Sequence, residues 1–177
     1  AISAVASVTK HVSCFGGSDG EVEVSAPNGG TSPYSYRWYN TADPAVTVST
    51  TQTATGLIAG TYQVIITDDH ICNLNSNTVV VTEPSAIITS FPVIIDAACN
   101  LATEGGSVTL NITGGTAPYS QVWTNGETGL TISDLLPGNY GVDVTDDKGC
   151  PAFNSVNIGM LAPVVVSEDI ALCNHVD

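Results

Sequence analysis

The feature that most constrains this 177-residue chain is that it repeats itself. Gly29-Gly30-Thr31-Ser32-Pro33-Tyr34, followed by Trp38, returns as Gly114-Gly115-Thr116-Ala117-Pro118-Tyr119, followed by Trp123. Leu57-Ile58-Ala59-Gly60-Thr61-Tyr62, then Thr67-Asp68-Asp69 and Cys72, returns as Leu135-Leu136-Pro137-Gly138-Asn139-Tyr140, then Thr145-Asp146-Asp147 and Cys150. Cys14 corresponds to Cys99, and only the segment after Trp38 is longer than its counterpart after Trp123. The expected organisation is therefore a repeat over 1–84, a second over 85–162, and the first strand of a third over 163–177, where Val164-Val165-Val166 leads to Cys173. Such a chain reads as an interior stretch of a longer array.

Within each repeat the pattern is β. Glu21-Val22-Glu23-Val24 and Ser107-Val108-Thr109-Leu110 alternate polar with apolar residues, as half-buried strands do. Tyr62 to Ile66 and Tyr140 to Val144 alternate in the same way after a Gly turn, and Thr78-Val79-Val80-Val81 and Val156-Asn157-Ile158 supply closing strands. Turn residues punctuate these runs at the rhythm of a sandwich, so the expected fold is all-β, a tandem of immunoglobulin-like β-sandwiches. Trp38 and Trp123 fall where such a sandwich keeps its core aromatic. Tyr62 and Tyr140 open a strand after Leu-x-x-Gly, as a tyrosine corner does. Packing in the core is the expected role of all four.

Charge narrows the partners. Seventeen acidic residues face three basic ones, Lys10, Arg37 and Lys148, for a net charge of −14. Nucleic acid and anionic membrane surfaces are repelled by such a field, and no apolar run has the length of a membrane-spanning helix. An enzyme is not expected: a nucleophile needs a base beside it, His11, His70 and His175 are not at equivalent positions, and no metal-ligand spacing, phosphate loop or G-x-S-x-G elbow appears.

Taken together, a cysteine, a Gly-rich loop with Asp19-Gly20, an alternating strand, Gly-Gly-Thr-x-Pro-Tyr-x-x-x-Trp, Leu-x-x-Gly-x-Tyr and Thr-Asp-Asp-x-x-Cys resemble the SprB-type repeat. That repeat occurs in very long surface adhesins of gliding Bacteroidetes and is similar to other bacterial immunoglobulin-like modules such as PKD domains. The resemblance implies an exported, cell-surface or fibre-forming protein without catalytic residues. In the second repeat Leu101-Ala102-Thr103-Glu104-Gly105-Gly106 replaces the first loop that carries Asp19.

Two sets of residues remain as candidate sites. Cys14, Cys72, Cys99, Cys150 and Cys173 form no CxxC pair and point to disulfides made in an oxidising compartment, with Cys173 pairing outside this stretch. Connectivity depends on strand parity. If one strand lies between Trp123 and Gly138, the bridges Cys14–Cys72 and Cys99–Cys150 follow. A seven-strand sandwich instead sends the chain in at one end and out at the other, and favours a bridge between neighbours such as Cys14–Cys150. The intra-repeat pairing is the expectation carried forward, each bridge closing a loop worth about 4 kcal/mol. The second set is acidic. Asp19, Asp68, Asp69, Asp146 and Asp147 supply the oxygens calcium needs if their loops share one end of the sandwich. Otherwise the aspartates cap their own turns, and there is no cofactor.

The functional expectation is the structural shaft or adhesive segment of a long extracellular adhesin or fibre. Its partners are neighbouring repeats, a homo-oligomeric filament, or a surface polysaccharide or other cell surface. The alternative is a carbohydrate-binding module that grips polysaccharide through its loops, which requires an exposed aromatic cluster repeated in both domains.

Overall fold

The computed structural model describes residues 1–98 and 105–162. The expected opening strand of a third repeat, Cys99, Cys173 and residues 101–104 lie outside them. The chain divides into two compact units, Ala1–Ala86 and Ile87–Asp177. Among the described residues the regular structure is β throughout.

In the first unit β1 (Ala6–Lys10), β2 (Gly20–Val24) and β4 (Thr53–Leu57) form one sheet in the order β1-β2-β4. The facing sheet pairs β3 (Ser35–Asn40) with β5 (Gly60–Thr67), and β5 in turn pairs with β6 (Asn73–Asn75) and β7 (Val79–Val81). The last two are one closing strand interrupted at residues 76–78. The second unit repeats the plan. There β8 (Ile88–Ile95), β9 (Gly106–Thr113) and β11 (Thr131–Leu135) face β10 (Tyr119–Trp123), β12 (Gly138–Asp146) and β13 (Pro151–Ile158). The first strand of each unit bends at a register shift, after Val8 and after Ser90. Pro92, which lacks an N–H, sits at the second of these bulges. Beyond the bend the chain runs beside the last strand: Val12 N–H donates to the Thr82 carbonyl at 2.9 Å, and Ala97 N–H to that of Gly159 at 3.0 Å. A first strand shared between both sheets closes an immunoglobulin-like sandwich.

The period-two pattern decides what fills the core. Val22 and Val24 point inward while the intervening Glu23 faces solvent, and in β5 Tyr62, Val64 and Ile66 occupy the inner face. Trp38 lies at the centre of this core and Trp123 at the centre of the second, both fully buried. Each indole N–H is satisfied by a backbone carbonyl, Thr51 at 3.1 Å and Gly129 at 2.9 Å. Tyr62 and Tyr140 donate their hydroxyls four residues back, to Ile58 and Leu136, both at 2.9 Å. That is the geometry of a tyrosine corner.

Strand direction follows from the registers. Ala6 pairs with Val24, Ser35 with Thr67, and Thr53 with Glu23, so the start of β1, the start of β3, the start of β4 and the end of β5 share one pole. We call it the N-terminal pole, because the chain comes in there. Leu57 pairs with Gly20, and Gly60 with Val81, at the opposite, C-terminal pole, where the chain leaves. The second unit has the same polarity: Ile88 pairs with Thr113 and Tyr119 with Asp146 at one pole, Gly138 with Ile158 at the other. β3 and β4 run in the same direction. Between them the chain must return across the sandwich, and it does so along residues 41–52, touching Trp38 through the Ser49 bridge. In the second unit a tight turn, with Trp123 N–H donating to the Glu127 carbonyl at 2.8 Å, begins the same return. The parity is that of seven strands.

Candidate functional site

The Thr-Asp-Asp-x-x-Cys motif ends β5 and β12 at the N-terminal pole, and alternation explains its form. Tyr62, Val64 and Ile66 face inward, so Asp68 does too, and it is buried although it is a carboxylate. Asp146 continues Val142 and Val144 in the same way. A buried carboxylate needs donors, and the chain wraps three backbone N–H groups around each. Asp68 Oδ1 accepts from His70 at 3.0 Å and Cys72 at 2.9 Å, while Oδ2 accepts from Thr31 at 3.1 Å. Asp146 Oδ1 accepts from Lys148 and Cys150, both at 2.9 Å, and Oδ2 from Thr116 at 2.8 Å. The next residue completes the clasp, with Asp69 and Asp147 N–H donating to the Thr31 and Thr116 carbonyls.

The second motif fits onto the first. Gly30 and Gly115 have φ of +79° and +61°, and a Cβ on either would lie 2.9 Å from the Asp68 or Asp146 Oδ2. Only glycine brings Thr31 or Thr116 this close to its carboxylate. Tyr34 and Tyr119 then brace the loop, their hydroxyls donating to the Gly29 and Gly114 carbonyls. Gly-Gly-Thr-x-Pro-Tyr and Thr-Asp-Asp-x-x-Cys, about thirty residues apart in sequence, are the two halves of one turn lock.

These contacts set the electrostatics. Hydrogen bonding by Cys72, followed by Thr31 and His70, holds Asp68 below the usual carboxylate range against the cost of burial. At Asp146 burial pushes the carboxyl up, and the N–H groups of Cys150, Thr116 and Lys148 together outweigh it, so it too is lowered. Asp19 lies elsewhere. It sits beside β1 at the C-terminal pole, ion-paired to Lys10 at 2.7 Å and hydrogen-bonded to Ser13, and these partners hold it well below its ordinary value. Asp19 and the Asp68-Asp69 turn are therefore at opposite poles and do not assemble the shared calcium site envisaged from the sequence. Among the described residues no group of three or more His, Cys, Asp or Glu is placed to hold a metal.

The cysteines depart from the expected pairing. Cys72 is a free, exposed thiol, whereas Cys14 and Cys150 are each in a disulfide. A Cys14–Cys72 bridge is ruled out by parity. Cys14 follows β1 at the C-terminal pole, where Gly16 N–H meets Glu83, and Cys72 caps the N-terminal pole. β5 alone spans about 26 Å between the poles at the usual rise per residue, against a Cα separation below about 7 Å for a disulfide. The expected Cys99–Cys150 pairing involves a residue outside the described set.

Sequence reasoning missed the inward orientation of Asp68 and Asp146, although the signal was present in the phase of the strands that carry them. Among the described residues no aromatic platform emerges either. Both Trp are buried, and the exposed Phe15 and Phe153 occupy non-equivalent positions, one in a first loop and one in a last strand.

Two successive immunoglobulin-like sandwiches, each locked at one pole by its most recurrent motifs, define a tandem β-sandwich architecture. Residues 6–43 and 96–128 match the SprB repeat, one stretch in each unit. No curated protein sequence matches it. Among solved structures it is similar to the C-terminal 282-residue fragment of intimin bound to the intimin-binding domain of its translocated receptor (13% identity, TM-score 0.45, covering 90% of this chain and 64% of that one). Fibronectin(III)-like modules of Clostridium thermocellum CbhA (14%, TM-score 0.33, 88% and 95%) and the amphioxus IgVJ-C2 molecule (16%, TM-score 0.33, 86% and 100%) are also similar. The chain thus spans just under two thirds of the intimin fragment. Among the described residues no helix is long and apolar enough to cross a membrane.

Proposed function

We propose that the chain is a segment of the shaft of a long extracellular adhesin or fibre, in which SprB repeats are strung one after another. The observation that carries this reading is chain polarity: in each unit the backbone arrives at one pole and leaves at the other. A module of this kind passes the chain onward, and repeats need contact only their neighbours. The acidic surface, with a net charge of −14, keeps such a protein soluble and off nucleic acid. Burial of Trp38 and Trp123 favours the shaft over the carbohydrate-gripping alternative. The partners that fit are neighbouring repeats of the same protein and another cell surface. Small-angle X-ray scattering of the chain tests the proposal. A compact particle of this length has a radius of gyration of about 16 Å. The expected value is well above that, and a value at it would overturn the shaft.

A further inference from the structure

Where the first repeat is longer than the second, it carries a cleft. Trp38 N–H donates to the Ser49 carbonyl where Trp123 N–H donates to that of Glu127. The leg before this shared point therefore runs over 39–48 in the first repeat and over only 124–126 in the second. Its extra length does not pack into the core. Val46 and Val48 are exposed, and with Leu57, Ile58 and the tyrosine-corner ring of Tyr62 they wall an open cleft of about 430 Å³ within the first unit. Insertions in one repeat of an array form loops on one face, often the binding face. Arg37 holds this leg in place, its guanidinium donating to the Pro44 carbonyl at 3.0 Å and lying 5.0 Å from the centre of the Tyr39 ring.

The lining selects the occupant. Asp43 is the only charged residue in the cleft wall, and among the described residues its carboxylate has neither a hydrogen bond nor an ion pair. It is not the cap of its own turn. That part is taken by Asn40, whose Oδ1 accepts from Ala42 N–H at 2.9 Å, while the Asn40 carbonyl accepts from Asp43 N–H at 3.0 Å. No basic side chain lines the cleft, and the chain carries a net charge of −14, so an anion is turned away and a cation drawn in. We propose that the cleft binds a small organic cation with an aliphatic body, an alkylammonium. Its hydrocarbon lies against Val46, Val48, Leu57 and Ile58, and its ammonium meets the Asp43 carboxylate. The volume falls in the range of small-molecule pockets, about 300–1,000 Å³, which combine apolar walls with a few placed polar groups.

The test titrates the 177-residue chain with hexylammonium, hexanol and hexanoate at low salt, following methyl resonances by NMR. Hexylammonium should give saturable shifts at the methyls of Val46, Val48 and Ile58, at one site per chain, with the methyls of the second unit unmoved. Hexanol should bind the same methyls about three- to five-fold more weakly, the worth of one partly exposed ion pair, and hexanoate should leave them unmoved. Asp43→Asn should bring hexylammonium down to the affinity of hexanol without changing hexanol itself. Val46→Ser should weaken both. Both positions are exposed, so an unchanged spectrum away from the cleft verifies the fold of each variant. Shifts that never saturate, or that spread over the acidic surface of both units, would show a counterion atmosphere and overturn the proposal. Equal binding of hexanoate, or an ammonium affinity indifferent to Asp43→Asn, would overturn it as well.

Discussion

Ile71 is the residue most at odds with its surroundings. It has φ of +65° and its N–H donates to the Asp68 carbonyl at 2.9 Å; the equivalent position in the second repeat is Gly149, at φ +80°, making the same bond to Asp146. A β-branched side chain in the left-handed region costs about 1–2 kcal/mol, part of which glycine gives back through the unfolded chain. Ile71 is also 79% exposed, so it contributes little packing in return. Ile71→Gly should therefore stabilise the first unit by up to about 1 kcal/mol, read as a rise in its denaturant midpoint at unchanged slope. A drop would mean that the exposed side chain makes a contact this structure does not contain. The buried aspartates give a second expectation. Their folded values are lowered, so the unfolded chain binds protons first as pH falls, and their stabilisation is complete above the ordinary value of 3.8 and lost below it. Melting temperature should fall as pH descends from about 4, and the fall should shrink in the double substitution Asp68→Asn, Asp146→Asn. An unchanged pH profile in that variant would show that other carboxylates dominate.

At the scale of the elements, the turn lock makes unequal demands on its glycines. A methyl at Gly115 meets Ile87 Cγ1 at 2.6 Å and Asp146 Oδ2 at 2.9 Å, and φ is +61°. At Gly126, φ is +88° but nothing lies within 4 Å. Both alanine substitutions incur the left-handed cost of about 1–2 kcal/mol, but only Gly115→Ala also has to open the lock. Gly115→Ala should lower stability clearly more than Gly126→Ala in chemical denaturation, and equal losses would mean that the lock yields freely. The elements also show what the sequence can and cannot say. Val22, Val24, Trp38 and Tyr62 could be placed inside because alternation and motif spacing are local properties. The pole to which Cys14 belongs could not, because it depends on the leg between Trp38 and Thr53. That leg has only isolated bridges, at Asp43 and Ser49, and its brief Val46-Thr47-Val48 alternation lies on exposed side chains. In the second repeat the return is shorter still, so fourteen residues from Trp123 to Gly138 read as one strand when they hold β11 and a return leg.

For the whole molecule, the question is whether its carboxylates or its cysteines carry stability that can be removed from outside. Seventeen acidic residues invite a cation, but the two that are buried among the described residues, Asp68 and Asp146, already accept three N–H groups each, and Asp19 is held by Lys10 and Ser13. A calcium ion requires six to eight oxygens that are not so engaged. We therefore expect chelation to leave the melting temperature within about 1 °C. Reduction acts differently, because Cys14 and Cys150 are oxidised in the folded chain, and a native disulfide typically contributes about 2–4 kcal/mol. For units of this size, one kcal/mol corresponds to a shift of about 4–8 °C. Reductant should lower the melting temperature by several degrees, and adding chelator to the reduced protein should take nothing further. Melting curves with each reagent and with both decide the matter: a larger loss on chelation than on reduction would mean that exposed carboxylates such as Asp69 and Asp147 gather a metal after all.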